Sequence, residues 1–301
     1  MPQARRFFVV DAFSDRPFHG NPAVIVPDAE GLSDRSMQAL AAELRMEAGF
    51  VLPASSADAD LRLRFFSPGA EVDVSGHVTV AAYAALRAAG KLPAAARTMR
   101  QQSRAGVLAV ELTPDGEGGP WVTLDFGRPR FGAALDRLEA QEALRVGSAA
   151  LAPGPAPRVV SCGVSLAVVA MIDPPALHGV VPDMPRLVTF SRRRGVLGIC
   201  AFARPGVHPM SALAARFFFP VVGPDEDVVS GAALAAIVAY AVRERLLPCV
   251  GETTFQTDQG HALGRPNRAH VTVRAEAGQI ADIKVRGRGV VVASGEFTPA
   301  D

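Results

Sequence analysis

The chain has 301 residues, 49% of them hydrophobic and 20% charged, with 28 Gly and 24 Pro, a composition that excludes a disordered chain and predicts many tight turns. Its 31 basic and 30 acidic residues leave a formal net charge of +1, too little for the broad field that holds a polyanion, so nucleic acid is excluded as a partner. The length allows two domains, each with its own core.

From the N-terminus, Arg5 and Arg6 precede an apolar run, Phe7 to Val10, that is too short for an export signal and stops at Asp11. Phe7–Val10, Ala23–Val26, Phe50–Leu52 and Leu61–Phe66 read as strands. Between the second and third of these, Asp34 to Arg45 reads as a half-exposed helix, because Met37, Leu40, Ala41 and Leu44 fall on one stripe. Ser33 is placed to cap that helix and Leu32 to pack on Met37 as a hydrophobic staple. Val78 to Ala89 is apolar on nearly every face, as a helix buried at the centre of a domain must be.

Further along, Trp121–Phe126, Arg158–Ser161, Leu166–Ile172, His270–Arg274 and Ile283–Arg286 read as strands, Ala150 to Pro157 as a loop, and Ala232 to Val242 as a second fully apolar helix. That helix ends at Arg243, well short of the roughly 20 residues of a membrane span. No membrane segment is therefore expected, and Cys162, Cys200 and Cys249 form neither a CxxC pair nor a zinc spacing. A reducing, cytoplasmic setting follows as the expectation.

An internal repeat organises these elements. Arg64-Phe65-Phe66-Ser67-Pro68 is echoed by Arg216-Phe217-Phe218-Phe219-Pro220, and each copy is followed by Ser-Gly (Ser75-Gly76, Ser230-Gly231), a small-apolar helix of matching length, and Leu-Pro (Leu92-Pro93, Leu247-Pro248). Two copies predict two similar lobes rather than a solenoid. The expected fold class is α+β, each lobe a mixed, curled sheet forming a half-barrel around its central buried helix. The turn-rich segment from Asp115 to Pro120 is the expected boundary, giving an N-terminal lobe of 1–118, onto which 288–301 folds back, and a C-terminal lobe of 119–287.

A helix N-terminus offers unpaired N–H groups and partial positive charge to a carboxylate. Gly76 and Gly231 would let that backbone come close to a ligand. Glu47 at the end of the first helix, His77 after the first Ser-Gly and Asp227 before the second are acids and bases beside such ends. Pattern alone leaves each open: Glu47 to being a solvated helix-end residue, His77 to a backbone-bonded one, and Asp227 to an acidic loop. If the apolar residues after Glu47 desolvate it, its carboxyl is suited to proton transfer at carbon. The sequence has no GxGxxG after a strand, no GxxxxGK[ST], no HExxH and no GxSxG, and its six histidines lack metal-ligand spacing.

Taken together, Val10-Asp11-Ala12-Phe13, Gly20-Asn21-Pro22-Ala23-Val24, Met46-Glu47-Ala48-Gly49-Phe50-Val51, Phe66-Ser67-Pro68 through Glu71 to Ser75-Gly76-His77, Glu226-Asp227 to Ser230-Gly231, Gln259-Gly260, Gly264-Arg265-Pro266 and Val285 to Gly295 resemble the phenazine-biosynthesis isomerase-like proteins of the diaminopimelate-epimerase-like fold. The resemblance spans nearly the whole chain. It implies a homodimer with an active site between two lobes, working without metal or organic cofactor, and the expected substrate is a small carboxylate. It implies Glu47 as general acid/base, with His77 and Asp227 lining the same pocket, and substrate contacts from Asn21, Ser75, Gly76, Ser230, Gly231 and Ala232. The implied reaction is a proton-moving double-bond shift like that of trans-2,3-dihydro-3-hydroxyanthranilate isomerase. An epimerase pairing Glu47 with Asp227, and a binding protein that has lost its chemistry, are the alternatives. Three positions depart from the family pattern: Met46 replaces a usual Ser or Thr, Val78 a Pro, and Ala232 a Ser. With His77 and Ala232 at the helix starts, the two-thiol chemistry of amino-acid racemases on this fold is not expected.

Overall fold

The computed structural model describes residues 3–114, 119–221 and 223–300. In chain order its elements are β1 (Arg5–Ala12), β2 (Asn21–Val26), α1 (Asp34–Leu44), β3 (Glu47–Leu52), β4 (Leu61–Phe66), β5 (Glu71–Val72), α2 (Gly76–Ala88), β6 (Thr98–Ser103), β7 (Gly106–Thr113), β8 (Trp121–Asp125), β9 (Arg130–Ala134), α3 (Arg137–Leu144), β10 (Arg158–Cys162), β11 (Val164–Ala170), α4 (Pro174–His178), α5 (Met184–Arg194), β12 (Ile199–Ala203), β13 (Leu213–Phe218), α6 (Gly231–Arg243), β14 (Glu252–Gln259), β15 (Asn267–Glu276), β16 (Gln279–Gly287) and β17 (Gly289–Phe297). This is an α+β protein of two lobes. The first comprises Met1–Leu124 with Arg286–Asp301, the second Asp125–Val285. Residues 115–118 of the expected boundary lie outside the described residues.

Within the first lobe, β17 pairs antiparallel with β1, β1 antiparallel with β2, β2 parallel with β3, β3 antiparallel with β4, β4 parallel with β6, and β6 antiparallel with β7. The second lobe repeats that order: β10 antiparallel to β11, β11 parallel to β12, β12 antiparallel to β13, β13 parallel to β14, and β14 antiparallel to β15. Here β9 takes the place beside β10 that β17 takes beside β1. Each parallel step needs a crossover. α1 provides it between β2 and β3, α4 with α5 between β11 and β12, α2 between β4 and β6, and α6 between β13 and β14.

The central helices are buried all round. Val78 to Leu86 on α2 and Ala233 to Ala241 on α6 are buried without interruption, α2 against β1, β2, β3 and β17 and α6 against β10, β11, β12 and β15. A helix in that position has no polar face to give to water, which is why its sequence shows no amphipathic stripe. α1 by contrast buries Met37, Leu40 and Ala41 with Phe50 and Phe66. Ser33 caps it by accepting from the Ser36 N–H at 3.2 Å, and Leu32 joins the same cluster as Met37. In the second lobe Leu144 of α3, Leu187 and Phe190 of α5, and Ile199 and Phe218 of the sheet share one core. Among the described residues no helix is long and apolar enough to cross a membrane.

One contact fixes how closely α2 sits on its sheet. A Cβ at Gly49 of β3 would lie 2.7 Å from Val78 Cγ1 and 3.0 Å from Ile25 Cδ1, closer than carbon atoms pack. Gly49→Ala therefore pushes α2 off β3, and overpacking of this kind costs about 1–3 kcal/mol. Urea unfolding followed by fluorescence of Trp121, the single tryptophan, should show the first lobe destabilised by that amount; an unchanged midpoint would mean that the helix is not held at this distance.

Candidate functional site

The first lobe gathers Glu47, Ser75, Gly76 and His77. Glu47, expected just beyond the end of the first helix, is the first residue of β3. α1 stops at Leu44 because Arg45 turns left-handed (φ 51°) and its N–H closes the helix on Ala41 and Ala42 carbonyls, so the chain enters the sheet at Glu47, three residues before the strand start expected at Phe50. There Glu47 faces Ala23 of β2 in register. Strand alternation puts Glu47 and Gly49 on the same face, the one α2 lies against.

Because Gly49 lets α2 come close, the start of that helix reaches Glu47. Ser75 Oγ donates to Glu47 Oε2 at 2.8 Å, Ser75 Oγ and His77 Nδ1 are 3.3 Å apart, and His77 Nε2 lies 3.7 Å from Glu47 Oε2. With the Ser75 proton directed at the carboxylate, the Nδ1–Oγ contact is satisfied when His77 carries its proton on Nδ1. The third distance is too long for a hydrogen bond but becomes an ion pair if the imidazole gains a second proton. Glu47 Oε1 has no hydrogen-bond partner among the described residues. The Glu47 side chain is 28% exposed and that of His77 11%. One carboxylate oxygen is thus anchored while the other can take or give a proton.

Asn21 opens β2, two residues before the partner of Glu47, and is 7% exposed. The loop before it turns at Gly20, which has φ 70° and where a Cβ would meet the Ala12 carbonyl oxygen at 2.2 Å. Buried Asp11 ties that loop down by accepting from the Phe18 N–H at 2.6 Å.

Asp227, Ser230, Gly231 and Ala232 belong to the second lobe. Asp227 donates its N–H to the Phe217 carbonyl at 2.9 Å and accepts at its own carbonyl from Gln259 Nε2 at 2.9 Å. Gln259 Oε1 accepts from the Ser230 N–H at 3.4 Å, and Asn267 Nδ2 donates to the Val228 carbonyl at 3.1 Å. The segment before α6 is therefore pinned through its backbone by Gln259 and Asn267, neither of which the sequence reading placed in the site. A Cβ at Gly260, beside Gln259, would lie 2.3 Å from the Arg265 carbonyl oxygen, so this lattice requires glycine there. Ala232 sits in the first turn of α6 with no hydroxyl to offer. Cys162 and Cys200 are buried in this lobe, and burial pushes both thiols up, Cys162 to about 12, so neither supplies a thiolate at neutral pH.

The two Ser-Gly steps use their hydroxyls differently. Ser230 Oγ caps α6, accepting from the Ala233 N–H at 3.3 Å. Ser75 makes no side-chain cap to α2; its hydroxyl goes to Glu47, while Thr79 Oγ1 donates to the Ser75 carbonyl at 2.8 Å.

The family whose model is described as phenazine biosynthesis-like protein matches residues 10–295. The chain belongs to this family. A Deinococcus radiodurans relative, described as an uncharacterized isomerase, is 35% identical over 296 residues, covering 96% of this chain and 94% of that protein. The crystal structure of a Bacillus anthracis phenazine biosynthesis protein of the PhzF family superposes with a TM-score of 0.89 at 25% identity, covering 98% of this chain and 99% of that one. A Pseudomonas aeruginosa structure, described as a predicted epimerase, gives 0.78 at 26% identity over 97% and 99%. This PhzF-like chain is an enzyme of the isomerase and epimerase group.

Loss of an N-cap hydroxyl costs about 0.5–2 kcal/mol. Ser230→Ala should fall in that range by urea unfolding followed by circular dichroism. Ser75→Ala removes no cap but does remove the hydrogen bond to Glu47, so its cost should be non-additive with Glu47→Ala, whereas the cost of Ser230→Ala should add to it; additivity in both pairs would contradict the division of labour between the two serines.

Proposed function

We propose that this PhzF-like protein is a proton-moving isomerase of a small carboxylate, with Glu47 as its general acid/base. The observation that carries the reading is the chain His77 Nδ1–Ser75 Oγ–Glu47 Oε2, which leaves Oε1 available. A carboxylate held by one oxygen in fixed orientation is pre-positioned to remove a proton from carbon with the other. The acidity of that carbon comes from a neighbouring carbonyl or double bond in the substrate. Returning the proton to a different carbon shifts the double bond, and no atom is gained or lost.

The remaining groups have roles in this reading. His77, hydrogen-bonded through Ser75, adjusts to the charge on Glu47 as the proton comes and goes. The N-terminal amides of α2, starting at Gly76 where no Cβ stands in the way, favour a negatively charged group of the substrate. Asn21 and, in the second lobe, Asp227, Ser230, Gly231 and Ala232 are proposed substrate contacts. Proton transfer between a carboxyl group and carbon asks for no group beyond these side chains, and we propose that the enzyme works without a cofactor, as a homodimer.

Proton NMR in D₂O with a panel of small unsaturated and amino carboxylic acids tests this reading. The native protein should incorporate deuterium at a new carbon of its substrate, and Glu47→Gln should slow this on the order of 100-fold or more while leaving the fold intact. Full activity in Glu47→Gln would remove Glu47 from the role. Deuterium that appears only at an inverted stereocentre, and is lost in Asp227→Asn as well, would replace the double-bond shift by epimerisation.

A further inference from the structure

Each lobe carries the same arginine clamp. In the first, Arg64 of β4 donates from Nε to Glu71 Oε1 at 2.7 Å and from Nη2 to Glu71 Oε2 at 2.9 Å, with its guanidinium 5.1 Å from the Phe66 ring centre. In the second, Arg216 of β13 donates from Nε to Glu226 Oε1 at 2.8 Å and from Nη2 to Glu226 Oε2 at 2.6 Å, and lies 4.7 Å from the Phe218 ring centre. All four side chains are largely buried, at 12% and 19% exposure in one pair and 9% and 10% in the other.

The spacing between clamp partners is not kept: Arg64 and Glu71 are 7 positions apart, Arg216 and Glu226 are 10. The spacing from the glutamate to the Ser-Gly step is kept, four positions from Glu71 to Ser75 and four from Glu226 to Ser230. The third nitrogen of each guanidinium reaches the crossover helices. Arg64 Nη1 donates to Asp34 Oδ1 at 2.6 Å, at the start of α1. Arg216 Nη1 donates to the carbonyls of Leu177, His178 and Val180, at the end of α4. Arg104 adds a 3.5 Å contact to Glu71.

A buried ion pair gives little net stability, because the cost of desolvating both charges offsets their attraction. A two-point, side-on arginine–carboxylate bond does fix the orientation of the carboxylate and of the backbone that carries it. We infer that Arg64 and Arg216 are positioning residues, and that Arg64, acting through Glu71, sets where Ser75 Oγ stands relative to Glu47 and His77. The inference rests on the reading of Glu47 as the proton-transferring group, although its geometric content concerns Ser75 and His77 alone.

The test compares Arg64→Lys and Glu71→Gln with the parent by thermal unfolding, by the ¹⁵N signals of the His77 ring, and by the rate of deuterium incorporation. Lysine keeps the charge but cannot make the two-point bond. The His77 ring signals should move in Arg64→Lys in the direction that Ser75→Ala moves them, and kcat should fall on the order of tenfold to a hundredfold. Unmoved His77 signals in a folded variant, with only a lower Tm, would overturn the inference and leave the clamp a structural tie. If Arg64→Lys does not fold, Glu71→Gln, which keeps the shape of the partner, is read by the same two outcomes. Should the parent exchange no carboxylate at all, the functional reading falls, and the His77 signals still decide the clamp.

Discussion

The contacts among Glu47, Ser75 and His77 follow from the distance between one strand and one helix. β3 presents Glu47 and Gly49 on the face against which α2 packs, and the missing Cβ of Gly49 admits Val78. Had that position held any side chain, the first turn of α2 would stand further off and Ser75 could not reach the carboxylate. A packing constraint in the core is thereby converted into a hydrogen bond at the site, with the low compressibility of a close-packed interior holding it there. The glycine does no chemistry, yet the chemistry proposed for Glu47 depends on it.

The elements legible in the sequence were those whose burial is simple. The all-apolar runs of α2 and α6, the stripe of the capped and stapled α1, and strands such as β2 and β4 have a regular burial pattern along their length, so the sequence pattern reports it. Glu47 was legible as a residue of interest beside the end of α1 but not as a strand residue, since Arg45 adopts a left-handed conformation that non-glycine residues seldom take and so lets β3 begin at Glu47, ahead of the apolar run at Phe50. α5 is not legible in the sequence although its ends are marked: Asp183 caps it by accepting from the Arg186 N–H at 3.1 Å, Pro185 stands in its first turn, and Gly195 closes it. Its stripe of Leu187 and Phe190 is narrow, and the arginines 192–194 that follow look like a solvated loop. The tip of the β6–β7 hairpin, exposed from Gly106 to Ala109, offers no alternation to detect.

The site was legible in its charged members and illegible in its scaffolding. Nothing in the spacing of Gln259 and Asn267 relative to Asp227 predicts that their amides hold the backbone of residues 227–230, because these contacts join strands β14 and β15 to a loop 32 and 39 residues away. The repeat supplied a better guide. It pairs Arg64 with Arg216 and Ser75 with Ser230 in the sequence itself, and the structure adds that the paired serines have separate duties. One hydroxyl still closes a helix; the other has been released from that duty and turned toward a carboxylate.

The strand order has a consequence for how such a chain comes off the ribosome. β1 lies between β2 and β17, with Arg5 opposite Phe297 and Ala12 opposite Gly289. The second lobe, by contrast, is a continuous stretch from Asp125 to Val285. During vectorial synthesis the lobe made later can complete its sheet first, while the earlier one waits with an open, hydrogen-bond-hungry edge on β1 until residues 289–297 emerge. The half of the enzyme that bears Glu47 is begun first and finished last, and that waiting edge is where nascent chains would be most prone to pair with one another.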